Sequence, residues 1–125
     1  MLTSDERSVR ERLEEWELRF LRILAVYNVD GTLAADHRAS VRTMYSALKL
    51  NVRAAFKVGD SDEGRAQMSD AESRFYHPAM RAASAHLVAR PESHPDAWHR
   101  SLCDALSEIS DAIVHLNEQD QPARR

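Results

Sequence analysis

The stretch Val9–Tyr27, with the sequence VRERLEEWELRFLRILAVY, decides the fold class of this chain. Its apolar residues recur every three or four positions, which places them on one face of an α-helix. The members of this face are Val9, Leu13, Trp16, Phe20, Ile23, Leu24 and Tyr27. The preceding residues fit a capping box with Thr3 as the N-cap and Glu6 reaching back to it. We therefore predict a first helix over residues 4–28.

Three further stretches repeat the same period and predict helices over residues 33–58, 62–90 and 95–117. The apolar face of the second holds Ala34, Val41, Met44, Tyr45, Leu48, Val52 and Phe56. That of the third holds Met68, Ala71, Phe75, Ala79 and Ala82, and that of the fourth holds Trp98, Leu102, Ala105, Leu106, Ile109, Ala112, Ile113 and Leu116. Matched lengths and short connections are typical of an all-α, antiparallel up-down-up-down four-helix bundle. We expect one domain over residues 1–119 and a flexible tail over 120–125.

The third predicted helix contains a proline, Pro78, which removes one backbone hydrogen bond and normally kinks or breaks a helix. The apolar period nevertheless continues in phase on both sides of it. We expect a continuous helix that is kinked at Pro78, although a division into two helices stays open. A second capping-box match at Ser69-Asp70-Ala71-Glu72 offers a later start than Asp62.

Composition excludes several classes of protein. A chain of 125 residues with 43% apolar and 30% charged residues has the size and make-up of one folded domain. A net charge of −3 argues against a dedicated nucleic-acid binder. No uncharged apolar run approaches the length of a membrane span, the first residues lack a signal-peptide pattern, and Cys103 has no internal partner for a disulfide. We expect a cytoplasmic protein that binds neither nucleic acid nor membranes.

Histidines collect at one end of the predicted bundle. In an up-down topology that end holds His37, His86 and His99, together with Asp36. On a helical wheel His37 and His86 point inward with the apolar face, so they could bind a metal or an anionic ligand. The alternative is that each is a histidine at the edge of the core, hydrogen-bonded to a neighbour. The chain has no Glu-x-x-His, which a di-iron site of a four-helix bundle requires, so no metal or cofactor is predicted.

Two catalytic patterns were considered, and neither assigns a catalytic residue. Arg81-Ala-Ala-Ser-Ala-His86 fits the Arg-x4–6-His pattern of HEPN-type ribonucleases, which are also small helical bundles. Arg81, however, lies away from the apolar face that carries His86. A histidine phosphotransfer domain requires an exposed histidine in mid-helix; His77 is exposed on the wheel, but Pro78 follows it and the surrounding residues do not match. We expect a protein without catalytic activity, and a HEPN-type ribonuclease stays open as an alternative.

Charge is divided between the second and fourth helices. The second carries a basic stripe along one flank: Arg38, Arg42, Lys49, Arg53 and Lys57. The fourth is acidic, with Asp96, Asp104, Glu108, Asp111 and Glu118. One interpretation is a docking surface for an oppositely charged partner or a self-complementary assembly. The other is two solvated faces with ordinary ion pairs to neighbouring helices.

Two short apolar stripes lie away from the core faces. The first helix carries Leu18, Leu21 and Ala25, and the second carries Ala47, Leu50, Ala54 and Val58. A helix that is apolar on two sides is usually covered on both. We place the stripes at opposite heights of the bundle, where an antiparallel dimer would pair the first helix with the second helix of its mate. The leading hypothesis is therefore a homodimeric adaptor or regulator that acts through protein–protein contact, with itself or with another protein.

Overall fold

The computed structural model describes residues 1–120, which are helical throughout apart from their connections. The five α-helices are α1 (Ser4–Leu24), α2 (Arg38–Lys57), α3 (Asp62–Gln67), α4 (His77–His86) and α5 (Pro95–Asp120). A π-helical segment, Glu72–Tyr76, leads into α4, and short 3-10 turns cover Ala35–His37 and Val58–Asp60. No strand is present between residues 1 and 120, so the all-α prediction is confirmed, with five helices instead of four. Except for Asp120, the predicted tail lies outside the described residues.

The capping box predicted for α1 is present. The Thr3 hydroxyl accepts a hydrogen bond from the backbone N–H of Glu6 (3.1 Å), and the Glu6 carboxylate accepts one from the N–H of Thr3 (2.8 Å). The helix ends at Leu24, four residues earlier than predicted, because the chain reverses direction in the next few residues. Gly31 occupies the left-handed region (φ +82°), which glycine adopts without strain.

The single helix predicted over residues 62–90 is wrong, and the interruption is not at Pro78. The short α3 ends at Gln67, and Met68 is extended (φ −77°, ψ 138°). The second capping box then starts a new helical segment: the N–H of Ser69 donates to Glu72 (3.0 Å), and the N–H of Glu72 donates to the Ser69 hydroxyl (3.1 Å). Helical backbone continues from residue 70 to residue 86.

Pro78 is accommodated inside that segment. It lies at the beginning of α4, directly after the π-helical segment Glu72–Tyr76. Because a π-helical turn already departs from the regular α-helical hydrogen-bond ladder, a residue without a backbone N–H is tolerated there. The chain thus stays helical through the proline.

The helices pack around one continuous core. The longest, α5, lies between α1 and α4, and α4 also packs against α2, whereas α1 and α2 touch more lightly. Hydrogen bonds from Arg10 to Asn117 (3.1 Å) and from Ser110 to Glu17 (2.8 Å) show that α1 and α5 are antiparallel. The largest fully buried side chains are Phe20, Tyr45, Leu13, Met80, Leu87, Leu102, Ile109 and Leu116. Within residues 1–120 no helix combines the length and the apolar character that crossing a membrane requires.

Candidate functional site

The predicted histidine end is not assembled as the helical wheel suggested. His37 is exposed, and its side chain has no hydrogen-bond or ion-pair partner within residues 1–120; Asp36 beside it is also exposed. The inward orientation predicted for His37 is therefore wrong. The physical reason is local: α2 begins at Arg38, and His37 belongs to the preceding 3-10 turn, to which the α-helical wheel does not apply.

The other two histidines of this group have separate partners. The Nε2 atom of His86, half-buried between α4 and α5, lies 3.3 Å from a carboxylate oxygen of Glu108. The His99 ring packs against Tyr27, with ring centroids 4.9 Å apart. Since Glu108 follows His99 by nine residues on α5, the two contacts are about 13 Å apart along the helix axis. No three His, Cys, Asp or Glu side chains converge on a common metal position within the described residues.

A cleft of about 410 Å³ lies beside His99 at the start of α5. It is lined by Asp30, Gly31, Asp96, His99, Arg100, Cys103 and Asp104. His99 Nε2 is 3.7 Å from the sulfur of Cys103, an arrangement that in other settings activates a thiol. Here burial, with the negative charge of Asp104, raises the pKa of the Cys103 thiol. Both effects disfavour the thiolate, which is the reactive form of a cysteine.

The ribonuclease-like pair Arg81 and His86 does not converge. Arg81 forms an ion pair with Asp60 and lies over the Phe56 ring (5.2 Å), whereas His86 contacts Glu108 on α5. Five residues along an α-helix correspond to roughly 140° of rotation, so the two side chains leave α4 toward different neighbours.

A partly buried histidine, His77, lies at the other end of α4, and its burial was not predicted from the sequence. His77 is only 19% exposed, and its Nε2 is 3.4 Å from Asp60. The 3-10 turn Val58–Asp60 covers it so closely that a Cβ atom on Gly59 would come within 2.5 Å of the imidazole ring. The surface position predicted for His77 is wrong for this reason. The sequence signal for this contact is Gly59, because a residue without a side chain permits the close approach of another element.

The π-helical segment attaches to α1 through a polar cluster. Arg12 forms an ion pair with Glu72 (3.2 Å) and lies over the Tyr76 ring (3.9 Å), and the indole N–H of Trp16 donates to the Tyr76 hydroxyl (3.0 Å). The backbone N–H of Ser69 holds the pKa of Glu72 below its ordinary value, and Arg12 adds to this effect. Each of these polar groups has a hydrogen-bond or ion-pair partner inside the cluster, which indicates a structural role.

The outward face of α2 differs from this cluster, because its apolar side chains are exposed and its cations have no ion-pair partners within residues 1–120. Leu50 is 67% exposed and Val58 is 65% exposed, and Ala47 and Ala54 are exposed beside them. The basic stripe has no ion-pair partner within residues 1–120, and its members are Arg38, Arg42, Lys49, Arg53 and Lys57. All except the half-buried Lys49 are exposed. We call the face formed by Leu50, Ala54, Arg53 and Lys57 the α2 surface.

The apolar stripe of α1 is also on the surface, with Leu18 50% exposed, Leu21 47% exposed and Ala25 exposed. Its height relative to the α2 stripe differs from the prediction. A groove of about 240 Å³ between the two helices is lined by Arg19, Arg22, Ile23, Met44, Ala47, Leu48 and Asn51. Leu18 and Leu50 adjoin this set in sequence and therefore lie at a similar height, not at opposite heights. The antiparallel pairing inferred from opposite heights loses its geometric basis.

A larger groove, of about 450 Å³, runs between α4 and α5 and is called here the α4/α5 groove. Its floor is apolar and is made by Phe75, Pro78, Ala79, Ala82 and Ala112. The α5 wall carries Glu108, Asp111 and His115, and Arg74 stands at one end, paired with Asp70. Asp111 is exposed and has no ion-pair partner within the described residues. This groove is the acidic counterpart of the α2 surface.

The functional interpretation rests on these surfaces, because His86, His99 and the π-helical cluster contact other side chains of the protein, and His37 and His77 belong to no group of three metal-ligating side chains within residues 1–120. The surfaces comprise one basic apolar face, one acidic apolar groove and an apolar stripe on α1. The chain matches no known protein family, no curated protein and no solved structure at a significant level.

Proposed function

We propose that this protein is a cytoplasmic helical bundle that acts through protein–protein contact, as a self-associating adaptor or regulator. The observation that carries the proposal is the α2 surface, where the exposed Leu50 lies one turn from Arg53 and two turns from Lys57, cations that have no ion-pair partner within residues 1–120. We further propose that α1, α2, the helical segment 70–86 and α5 are the four members of an up-down-up-down bundle, with α3 as a short addition in the connection.

The concentration of unpaired cations on one helix supports an external role for the α2 surface: all five cations of α2 lack an ion-pair partner within residues 1–120, whereas the ten arginines outside α2 in the same range include four paired ones. Arg12, Arg65, Arg74 and Arg81 each form an ion pair with a carboxylate of the same chain. The cations of α2 do not, so their charge is available to a partner and favours an acidic one. Leu50 supplies the apolar contact that a charged surface alone lacks, since burying an exposed leucine side chain contributes roughly 1.5–3 kcal/mol.

Self-association tests the proposal directly. Sedimentation velocity from low micromolar to millimolar concentration is expected to show a rising average mass for the parent protein. Leu50→Asp places a carboxylate at the centre of the α2 surface and should hold the protein in the monomeric state.

The matched control is Val29→Asp, because Val29 is also an exposed apolar residue but lies in the turn after α1, away from the α2 surface. This variant should associate as the parent does. A parent protein that stays monomeric over the whole range, or a Leu50→Asp variant that associates normally, contradicts the proposal.

A further inference from the structure

We propose that the α4/α5 groove of one copy receives the α2 surface of a second copy, in a head-to-tail contact. This inference rests on the proposed self-association and adds the occupant of the groove. It combines two of the three surfaces described above, and these two differ in shape and in the sign of their unpaired charges.

The groove offers what an amphipathic helix requires. Apart from Phe75, its floor consists of small side chains, Pro78, Ala79, Ala82 and Ala112, so a helix can approach closely over most of its length. Glu108 and Asp111 stand on one wall, one turn apart on α5, and Asp111 has no internal partner. A partner helix with an exposed apolar residue one turn from a cation would fill the floor and bring a positive charge to Asp111.

The α2 surface has this pattern. Ser46, Leu50, Arg53 and Lys57 follow one another at intervals of three or four residues, and these positions share one helix face. With Leu50 directed at the floor, Arg53 lies one turn further along α2, the spacing that separates Glu108 and Asp111 on α5. The smaller side chains of Ser46 and Ala54 leave room around Leu50 for the rims of the groove.

The symmetry of such a contact follows from its two halves. The α2 surface and the α4/α5 groove are different parts of one chain, so the contact is heterologous and not self-complementary across a two-fold axis. Repeated heterologous contacts either close into a ring or extend as a chain. Because opposite charges meet in it, association should weaken as the salt concentration rises.

Two variants that each disable one half provide the test. Leu50→Asp removes the α2 surface and keeps the groove, and Asp111→Arg reverses the exposed charge of the groove and keeps the α2 surface. Both positions are exposed in the free chain, so both variants should retain the parent's circular dichroism spectrum. Each variant alone should be monomeric, with self-association at least about tenfold weaker than that of the parent.

An equimolar mixture of the two variants distinguishes this contact from other modes of association. The intact groove of Leu50→Asp can receive the intact α2 surface of Asp111→Arg, so the mixture should form a complex that stops at two copies. If the parent associates but the mixture stays monomeric, the groove does not bind the α2 surface, and this inference is wrong. The proposed self-association through α2 is then retained without it. If the parent never associates, the proposed function itself fails.

Discussion

At the scale of single residues, two buried tyrosines differ in whether the hydroxyl group forms a hydrogen bond. The Tyr76 hydroxyl accepts a hydrogen bond from the indole N–H of Trp16 (3.0 Å), whereas the buried Tyr27 hydroxyl has no hydrogen-bond partner among residues 1–120. An unpaired buried hydroxyl has lost its hydration without compensation, which costs about 1–3 kcal/mol. Burial also raises the pKa of Tyr27 to about 12, from an ordinary value of 10.0.

We expect Tyr27→Phe to be neutral or stabilising at pH 7, because it removes an unpaired polar atom and preserves the ring. Tyr76→Phe, the matched control, should lower the free energy of unfolding by about 0.5–1.5 kcal/mol, since it leaves the Trp16 N–H without its acceptor. Urea denaturation of the three proteins measures both effects. A Tyr27→Phe variant as destabilised as Tyr76→Phe would show that the Tyr27 hydroxyl is in fact satisfied.

The same substitution has a consequence at alkaline pH. The folded-state pKa of Tyr27 lies above its unfolded value, so its contribution to stability is complete below pH 10.0 and is lost as the pH rises through about 12. The parent should therefore lose more stability than Tyr27→Phe over this interval, which melting temperatures at successive pH values will show. Parallel pH profiles for the two proteins would contradict the assignment.

The burial of two histidines could not be predicted correctly from the sequence. The wheel placed His37 inside and His77 outside, and the structure reverses both. A wheel gives the direction of a side chain only within a regular helix, and His37 precedes α2. His77 faces as the wheel requires, but the turn Val58–Asp60 folds over it, and no periodicity within α4 contains that information.

At the scale of elements, the helical segment 70–86 depends on Glu72, which performs two tasks. Its carboxylate accepts the N–H of Ser69 (3.0 Å), closing the capping box, and it pairs with Arg12 (3.2 Å), attaching the π-helical segment to α1. Both contacts favour the ionised form and hold the pKa of Glu72 below its ordinary value of 4.5. Ionised Glu72 therefore stabilises the folded state.

Glu72→Gln should accordingly destabilise the protein at neutral pH and matter less in acid. For a carboxyl whose folded-state pKa is lowered, the stabilisation is present above pH 4.5 and is lost as the pH falls through the folded-state value. The difference in unfolding free energy between parent and variant should shrink over that range. Glu63→Gln, at an exposed position without an ion pair, is the control and should show no such difference. A pH-independent difference for Glu72→Gln would mean that its charge plays no part.

Element boundaries were predictable where a local signal determines them. Both capping boxes, at Thr3 and at Ser69, appear as their spacing indicates. What the sequence did not decide was whether α3 joins the next helix. It does not, since Met68 is extended between the two helical segments. Gly64 of α3 packs on the carbonyl of Val58, where a Cβ atom would lie 1.7 Å from the oxygen, so the position of α3 depends on a contact with a separate element that local propensity does not encode.

At the scale of the whole molecule, the periodicity was sufficient to predict one helical core but not the relative heights of the helices. The stripes of α1 and α2 were placed at opposite heights, and the shared groove shows that Leu18 and Leu50 lie nearly level. Height depends on where each helix ends. Because α1 stops at Leu24 and α2 starts at Arg38, the loop between them sets the register, and its length was misjudged by several residues.

The arrangement around α5 predicts cooperative unfolding. This helix packs against both α1 and α4, and one core cluster extends over all the long helices, so loss of α5 exposes apolar surface on every side. The two tryptophans report from different places: Trp98 is buried in α5 and stacks with Tyr45 of α2 (centroids 6.1 Å apart), and Trp16 of α1 contacts the π-helical segment. If the protein unfolds as a single cooperative unit, both tryptophans should become exposed to solvent in the same transition.

Single-tryptophan variants test this expectation. Trp16→Phe keeps only Trp98 as a fluorescent reporter, and Trp98→Phe keeps only Trp16. In each variant the urea midpoint from tryptophan fluorescence should coincide with the midpoint from far-ultraviolet circular dichroism, because both follow the same transition. Comparing two signals within one variant removes the effect of the substitution on stability itself. If the Trp16 signal changed at lower urea than the helical signal, α1 and the π-helical segment would form a separate, weaker unit, and the core would not be cooperative as a whole.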